Sequence, residues 1–178
     1  MPLRFCVCRA VLEEKLLIVK TTHFGDVEVT DEQIFTATVP VPGFPDSKRF
    51  FFIERDKIKP FKWLQSADDG ALTFVVVEPG TFFHDFEPKI GAFDIKEIGL
   101  SRQDEALMMV IVVLPDDLSK MTANLRGPLI INVRDRLFKQ VFIETDRWTV
   151  RESILEGIKR RELAALEAQK KAQHQTGK

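Results

Sequence analysis

Short apolar runs broken by polar or Gly/Pro positions set the pattern of this chain, and runs of that length with that punctuation predict strands rather than long amphipathic helices. Leu16–Lys20, Val27–Val29 and Ile34–Val39 are rich in β-branched and aromatic residues, with Gly25-Asp26 and Asp31-Glu32 between them, and they predict a meander. Pro40, Pro42, Gly43 and Pro45 then crowd into a stiff loop, because each proline fixes its own φ and steers the preceding residue away from helix. Strand character resumes at Phe50–Glu54. After the stretch Phe61–Gln65, the sequence Ser66-Ala67-Asp68-Asp69-Gly70 predicts a turn whose carboxylates bond nearby backbone amides. Leu72–Glu78 is a continuous apolar strand ended by Pro79-Gly80. Leu107–Leu114 is apolar throughout and closed by Pro115, which predicts a central strand buried on both faces. Leu129–Val133 and Phe138–Glu144, joined across Arg134–Leu137, predict a hairpin.

Helical signals are sparse. Asp94–Leu100 reads as one or two helical turns that offer Ile95, Ile98 and Leu100 to the core. Thr149 stands three residues before Glu152, the spacing of a capping box, and predicts a helix that starts there with Val150, Ile154 and Ile158 on one face. Beyond Arg161 that stripe is lost, and the last ten residues are expected to fray. Residues 1–12 carry no clear turn signals and are assigned to no element. The pattern therefore predicts an all-β, mainly antiparallel fold: a small β-barrel-like domain over residues 1–151 with a short helix, followed by a charged helical extension over 152–178. There are no internal repeats.

With 178 residues the chain suits one domain with its own core. Fifteen Phe beside no Tyr places large apolar area inside without hydroxyls at the edges. The net charge of −1 supplies no global field toward nucleic acid or anionic lipid. After residue 150 there are seven Lys or Arg against four Glu, so the tail is basic and the preceding body carries net charge −4. No apolar run approaches the length of a membrane span, and no export signal opens the chain. Cys6 and Cys8 are too close for good disulfide geometry and would share one face of an extended strand, which points to reduced thiols in a cytoplasm.

Catalytic chemistry is thinly supplied. His23, His84 and His174 are the three histidines, and only His84 has a carboxylate beside it, Asp85, to orient an imidazole. The opposing explanation of each is an ordinary surface histidine. One close cysteine pair without a matching pair does not make a zinc site, and no glycine-rich phosphate loop or nucleophile turn is present. The one basic cluster, Lys159-Arg160-Arg161, alternates with Glu as a solvated helix face does, so direct nucleic-acid binding is not expected. The residues thus weigh against catalysis and against a metal or cofactor site. The alternative is a small-molecule-binding or catalytic β-barrel with a pocket near His84 and Asp85.

Five separated blocks carry a family resemblance: PGFPDSKRF at Pro42–Phe50, PFKWLQSADD at Pro60–Asp69, FVVVEP at Phe74–Pro79, MTANLRGPLIIN at Met121–Asn132, and KQVFIE at Lys139–Glu144 followed by Trp148 and Arg151. In this order and spacing they resemble the bacterial flagellar assembly factor FliW, over roughly Leu16–Arg151. The resemblance implies a β-barrel-like protein that is no enzyme. It implies two partners, the RNA-binding translational regulator CsrA and flagellin, exchanged for one another. Export of flagellin would free the protein to capture CsrA, and capture would release flagellin messenger from repression. A free monomer is expected.

Under that resemblance several residues become candidates for partner contact. Phe44 and Phe61 beside proline-fixed loops would make preorganised anchors, or else fill the core. Asp68, Asp69, Glu78, Asp85 and Glu87 would present acid to a basic regulator, or else be ordinary solvated charges. Asn124 would cap or turn the backbone, given the tolerance of Asn for left-handed conformations, and Arg126 stands in the most distinctive block. The chain departs from the family pattern at Phe86, where a Tyr is usual, at Arg126-Gly127, where two small or apolar residues are expected, in its start before Leu16 and in its basic tail.

Overall fold

The structure, a computed structural model, describes the backbone of residues 16–175 and the side chains of residues 16–170. Cys6, Cys8, the chain start, His174 and the end of the tail expected to fray lie outside the described side chains.

Seven strands close into a ring. They are β3 (Phe35–Ala37), β4 (Arg49–Ile53), β5 (Lys62–Ser66), β6 (Thr73–Val77), β7 (Leu107–Val113), β9 (Leu129–Asn132) and β10 (Leu137–Gln140), and the pairing of β7 with β9 completes the circuit. All neighbours in the ring are antiparallel except β3 and β10, which run parallel, with Thr36 and Thr38 donating to the carbonyls of Arg136 and Phe138. The β9–β10 turn carries Arg136 at φ 54°, the one non-glycine left-handed residue among those described. Two earlier strands, β1 (Leu16–Thr21) and β2 (Gly25–Thr30), form a separate hairpin. The two-residue strands β8 (Thr122–Ala123) and β11 (Glu152–Ser153) extend the sheet from β7.

Alternation along each strand sends one set of side chains into the ring: Phe50, Leu64, Val76, Met109, Leu129, Ile131 and Phe138 form a single buried cluster. Phe50 and Phe138 meet edge to face there, with ring centroids 5.4 Å apart. The outward faces are covered as well. The β1–β2 hairpin lays Val19 and Val29 on Phe51 and Ile53. Helix α1 (Ala92–Glu97) and the turn after it put Ile95, Ile98 and Leu100 on Ile130. Phe83, Phe86, Trp148 and Ile154 cover Val77, Val110 and Val112. Double burial explains why antiparallel strands read as unbroken apolar runs, and β7 is the central strand predicted, paired with β6, β8 and β9. The end of its run departs from the expected double burial, with Val113 and Leu114 exposed.

Each cover is pinned by a specific contact. Thr22 donates to the carbonyl of Gly70, and a Cβ at Gly70 would lie 1.9 Å from the Lys20 carbonyl oxygen, so only glycine lets the hairpin sit this close. Lys139 on β10 binds Asp94 at 2.6 Å and also Glu97, tying α1 down. Burial disfavours its charge, but the two carboxylates outweigh that and raise its pKa.

Some boundaries differ from expectation: the strand expected over Phe138–Glu144 ends at Gln140, that over Ile34–Val39 is Phe35–Ala37, and the short helix runs Ala92–Glu97 rather than Asp94–Leu100. Helix α2 spans Ile154–Gln175, four residues later than a box capped at Thr149 predicts. Glu152 and Ser153 are instead drawn into pairing with Ala123 and Thr122, and Ser153 accepts from the Glu156 amide at 3.3 Å, repeating the Thr-x-x-Glu spacing one step on. Ile154 and Ile158 pack on the barrel as expected, whereas Val150 precedes the helix and is 54% exposed. Among the described residues no helix is long and apolar enough to cross a membrane.

Candidate functional site

The proline-rich loop after β3 folds back on itself: Phe44 donates its amide to the Val41 carbonyl at 2.9 Å, with Gly43 at φ 92° making the bend. That turn holds the Phe44 ring edge-on to Phe74, 5.2 Å between centroids, and leaves it 37% exposed. Opposite it runs the segment after β8. Asn124 continues the ladder by donating to the Ile111 carbonyl, Leu125 donates to that of Thr149, and the Arg126 carbonyl accepts from Ile143, each near 3 Å.

Between loop and segment lies an open cleft of about 410 Å³, with Phe44, Phe74, Ile111, Phe142 and Val150 as apolar wall and Asn124, Arg126 and Gln140 as polar edge. Gln140 donates to the Gly127 carbonyl at 2.9 Å, and a Cβ at Gly127 would lie 2.8 Å from the Asn124 amide nitrogen. The glycine makes room for both amide side chains. Arg126 lies over the Phe142 ring, 4.8 Å from guanidinium carbon to centroid. Its Nε and the Asn124 Oδ1 are both shut off from solvent without a hydrogen-bond partner.

Three of the nine candidates, Phe44, Asn124 and Arg126, thus meet at one place although up to eighty residues separate them. Asn124 is not left-handed; its amide continues the β7 ladder, and the turn at Leu125–Arg126 follows directly after it. Sequence reasoning missed Gln140, Phe142 and Val150. The alternation of buried Val141, exposed Phe142 and buried Ile143 was the available signal.

The remaining candidates sit elsewhere. Phe61 is half-buried against Phe82, 5.7 Å between centroids. Asp68 and Asp69 occupy the β5–β6 turn as predicted, with Ser66 Oγ accepting from both of their amides and Asp69 accepting from Ala71. Asp68 also reaches β4, where the amides of Lys48 and Arg49 donate to one oxygen at 2.8 Å each and the Arg49 guanidinium to the other at 2.7 Å. Burial works to raise its pKa, but these donors prevail and hold it below the usual value of 3.8. Glu78 and Glu87 border one shallow depression, and Asp85 and Glu87 another beside Trp148. Asp85 is engaged by Arg147, which also stacks on Trp148. The pairing with His84 imagined for a catalytic pocket therefore does not form: the carboxylate faces an arginine, and His84 is exposed.

The cleft walls hold one cation and no carboxylate, hydroxyl, thiol or imidazole, an arrangement suited to holding a ligand rather than to acid–base or nucleophilic chemistry. Among the described residues no three His, Cys, Asp or Glu side chains gather as a metal site would require.

Comparison with known proteins places these features in a family. The family described as FliW protein matches residues 18–154. A flagellar assembly factor FliW from Alkaliphilus metalliredigens is 36% identical over 145 residues, covering 81% of this chain and 90% of that protein. One from Leptospira interrogans is 37% identical over 139 residues, 78% of this chain and 93% of the relative. A crystal structure of the flagellar assembly factor FliW superposes with a TM-score of 0.73 at 28% identity, covering 78% of this chain and 96% of the other.

Proposed function

The chain belongs to the FliW family of flagellar assembly factors, and from that premise we propose that it works by reversible protein binding, holding flagellin and, when flagellin is gone, capturing and antagonising the translational regulator CsrA. On this reading it acts in the cytoplasm, needs no cofactor and turns over no substrate. Flagellin abundance then feeds back on flagellin translation through which of the two partners the protein holds.

The observation that carries the reading is the match of the family across nearly all of the barrel, residues 18–154. The acidic residues Asp69, Glu78 and Glu87 on the outer surface give a basic, RNA-binding partner something to be steered toward, which accelerates encounter more than it deepens affinity. The domain boundary is part of the same proposal: the barrel unit through Arg151 supplies the binding surfaces, and the helical extension after it is an accessory.

Purified chain mixed with CsrA, and separately with flagellin, at micromolar concentration should co-elute from a sizing column. Separate elution of both mixtures would reject the reading.

A further inference from the structure

We propose that the cleft between the 40–45 loop and the segment 124–127 docks an extended peptide segment of a protein partner in which an aromatic or branched aliphatic residue stands beside an aspartate or glutamate. This deepens the reading above and rests on it, in that it assigns one surface of a protein binder to a ligand of stated chemistry.

The charge argument comes first. Arg126 is the one arginine among the described residues that is not exposed, and no carboxylate lies within ion-pair distance of it. Of the exposed arginines, Arg49, Arg102, Arg134, Arg147 and Arg160 each have one, and Arg55, Arg136, Arg151 and Arg161, without one among the described residues, are open to water. A half-buried guanidinium without a counter-charge is costly, and stacking on Phe142 offsets only part of that cost. The cleft has no acid of its own to supply. A ligand carboxylate in the cleft supplies the counter-charge that no described residue gives Arg126.

The polar edge comes second. The side-chain amides of Asn124 and Gln140 line the cleft beside Arg126. A peptide backbone offers both donors and acceptors to such amides, where a fatty acid or an inorganic anion brings the charge alone. The apolar wall of Phe44, Phe74 and Phe142, with Phe142 67% exposed, accounts for the third part, an apolar side chain. Of the two partners proposed above, an RNA-binding protein is basic by the demands of phosphate contact and fits a cation-bearing cleft poorly, so the segment belongs to the exported subunit.

The test uses the full chain, labelled with nitrogen-15, titrated with a capped pentapeptide, acetyl-Gly-Phe-Glu-Leu-Gly-amide, and with analogues carrying Gln for Glu or Ala for Phe. Amide signals of Asn124, Arg126 and Phe142 should move first, and the Gln analogue should bind about tenfold more weakly, the usual effect of removing a charged hydrogen-bond partner. Signals that stay still, or a Gln analogue that binds equally well, would overturn the site. Sodium acetate at the same concentration should leave these signals in place; equal shifts would mean an adventitious anion only. Arg126→Leu should abolish the preference for Glu over Gln without lowering the thermal midpoint, whereas a lower midpoint with the preference intact would make Arg126 a structural residue. Failure of co-elution with both partners would sink the protein-binding reading, whereas failure of the peptide titration while co-elution persists would sink the cleft alone.

Discussion

Asp68 accepts both the backbone amide and the guanidinium of Arg49, at 2.8 and 2.7 Å, and so fastens the β5–β6 turn to the start of β4. A residue that reads as acidic surface is thereby a structural clamp, its side chain only 19% exposed. Asp68→Asn should destabilise the fold by about 1–2 kcal/mol, the range for losing charged hydrogen bonds at a partly shielded site. The pH dependence has a definite sign. The folded carboxyl titrates below its ordinary 3.8, so its contribution is fully present above that value and is lost as pH falls through the folded pKa. Urea melts at neutral pH and in acid check this: the gap between wild type and variant should narrow in acid, and a constant gap would contradict the clamp.

Asp69, its neighbour, is the better probe of encounter, because it is exposed and bonds only within its own turn, to the Ala71 amide. Asp69→Lys should slow association with CsrA several-fold at low salt and leave dissociation nearly unchanged, as loss of long-range steering does. Stopped-flow rates at two ionic strengths decide it. An association rate and salt slope equal to wild type would remove this turn from the interface.

Helix α2 is seated through Gly157. A Cβ there would meet Phe83 Cε1 at 2.6 Å and the Phe82 carbonyl oxygen at 3.0 Å, in a place where Phe83 is already held against Trp148. Alanine favours helix over glycine by up to about 1 kcal/mol, but overpacking a filled site costs about 1–3 kcal/mol, and the rigid backbone oxygen gives the clash the advantage. Gly157→Ala should therefore lower stability by about 1 kcal/mol and perturb the near-ultraviolet signal of Trp148. A more stable variant would mean that α2 does not dock here.

His84→Ala addresses the small-molecule alternative. The side chain is exposed and Asp85 is committed to Arg147, so stability should stay within about 0.5 kcal/mol and binding of both partners should be unchanged. Loss of partner binding, measured by the same sizing column, would return His84 to the site.

How much of this was readable beforehand depends on range. Leu107–Val113 announces itself because a run apolar on both faces and stopped by Pro115 has few other homes, and the Ser66–Gly70 turn because its side chains bond their own backbone. The β7–β9 closure and the parallel β3–β10 pair are contacts between distant segments, which local pattern does not encode. The helix start was misplaced because Thr149 and Ser153 both precede a Glu by three residues, and pairing of Ser153 with Thr122, thirty residues away, decides between them. The cleft was half visible. Phe44, Asn124 and Arg126 lie in distinctive blocks, but that they face one another, and that Phe142 stacks on Arg126, follows only from how the ring closes.

Because β7 pairs with β9, the ring itself has no free strand edge for an incoming chain to add to; the open edges lie outside it, on the β1–β2 hairpin and at β11. If the protein holds a filament-forming subunit as proposed, a grip through side chains in loops and clefts is finite and reversible in a way that strand addition is not.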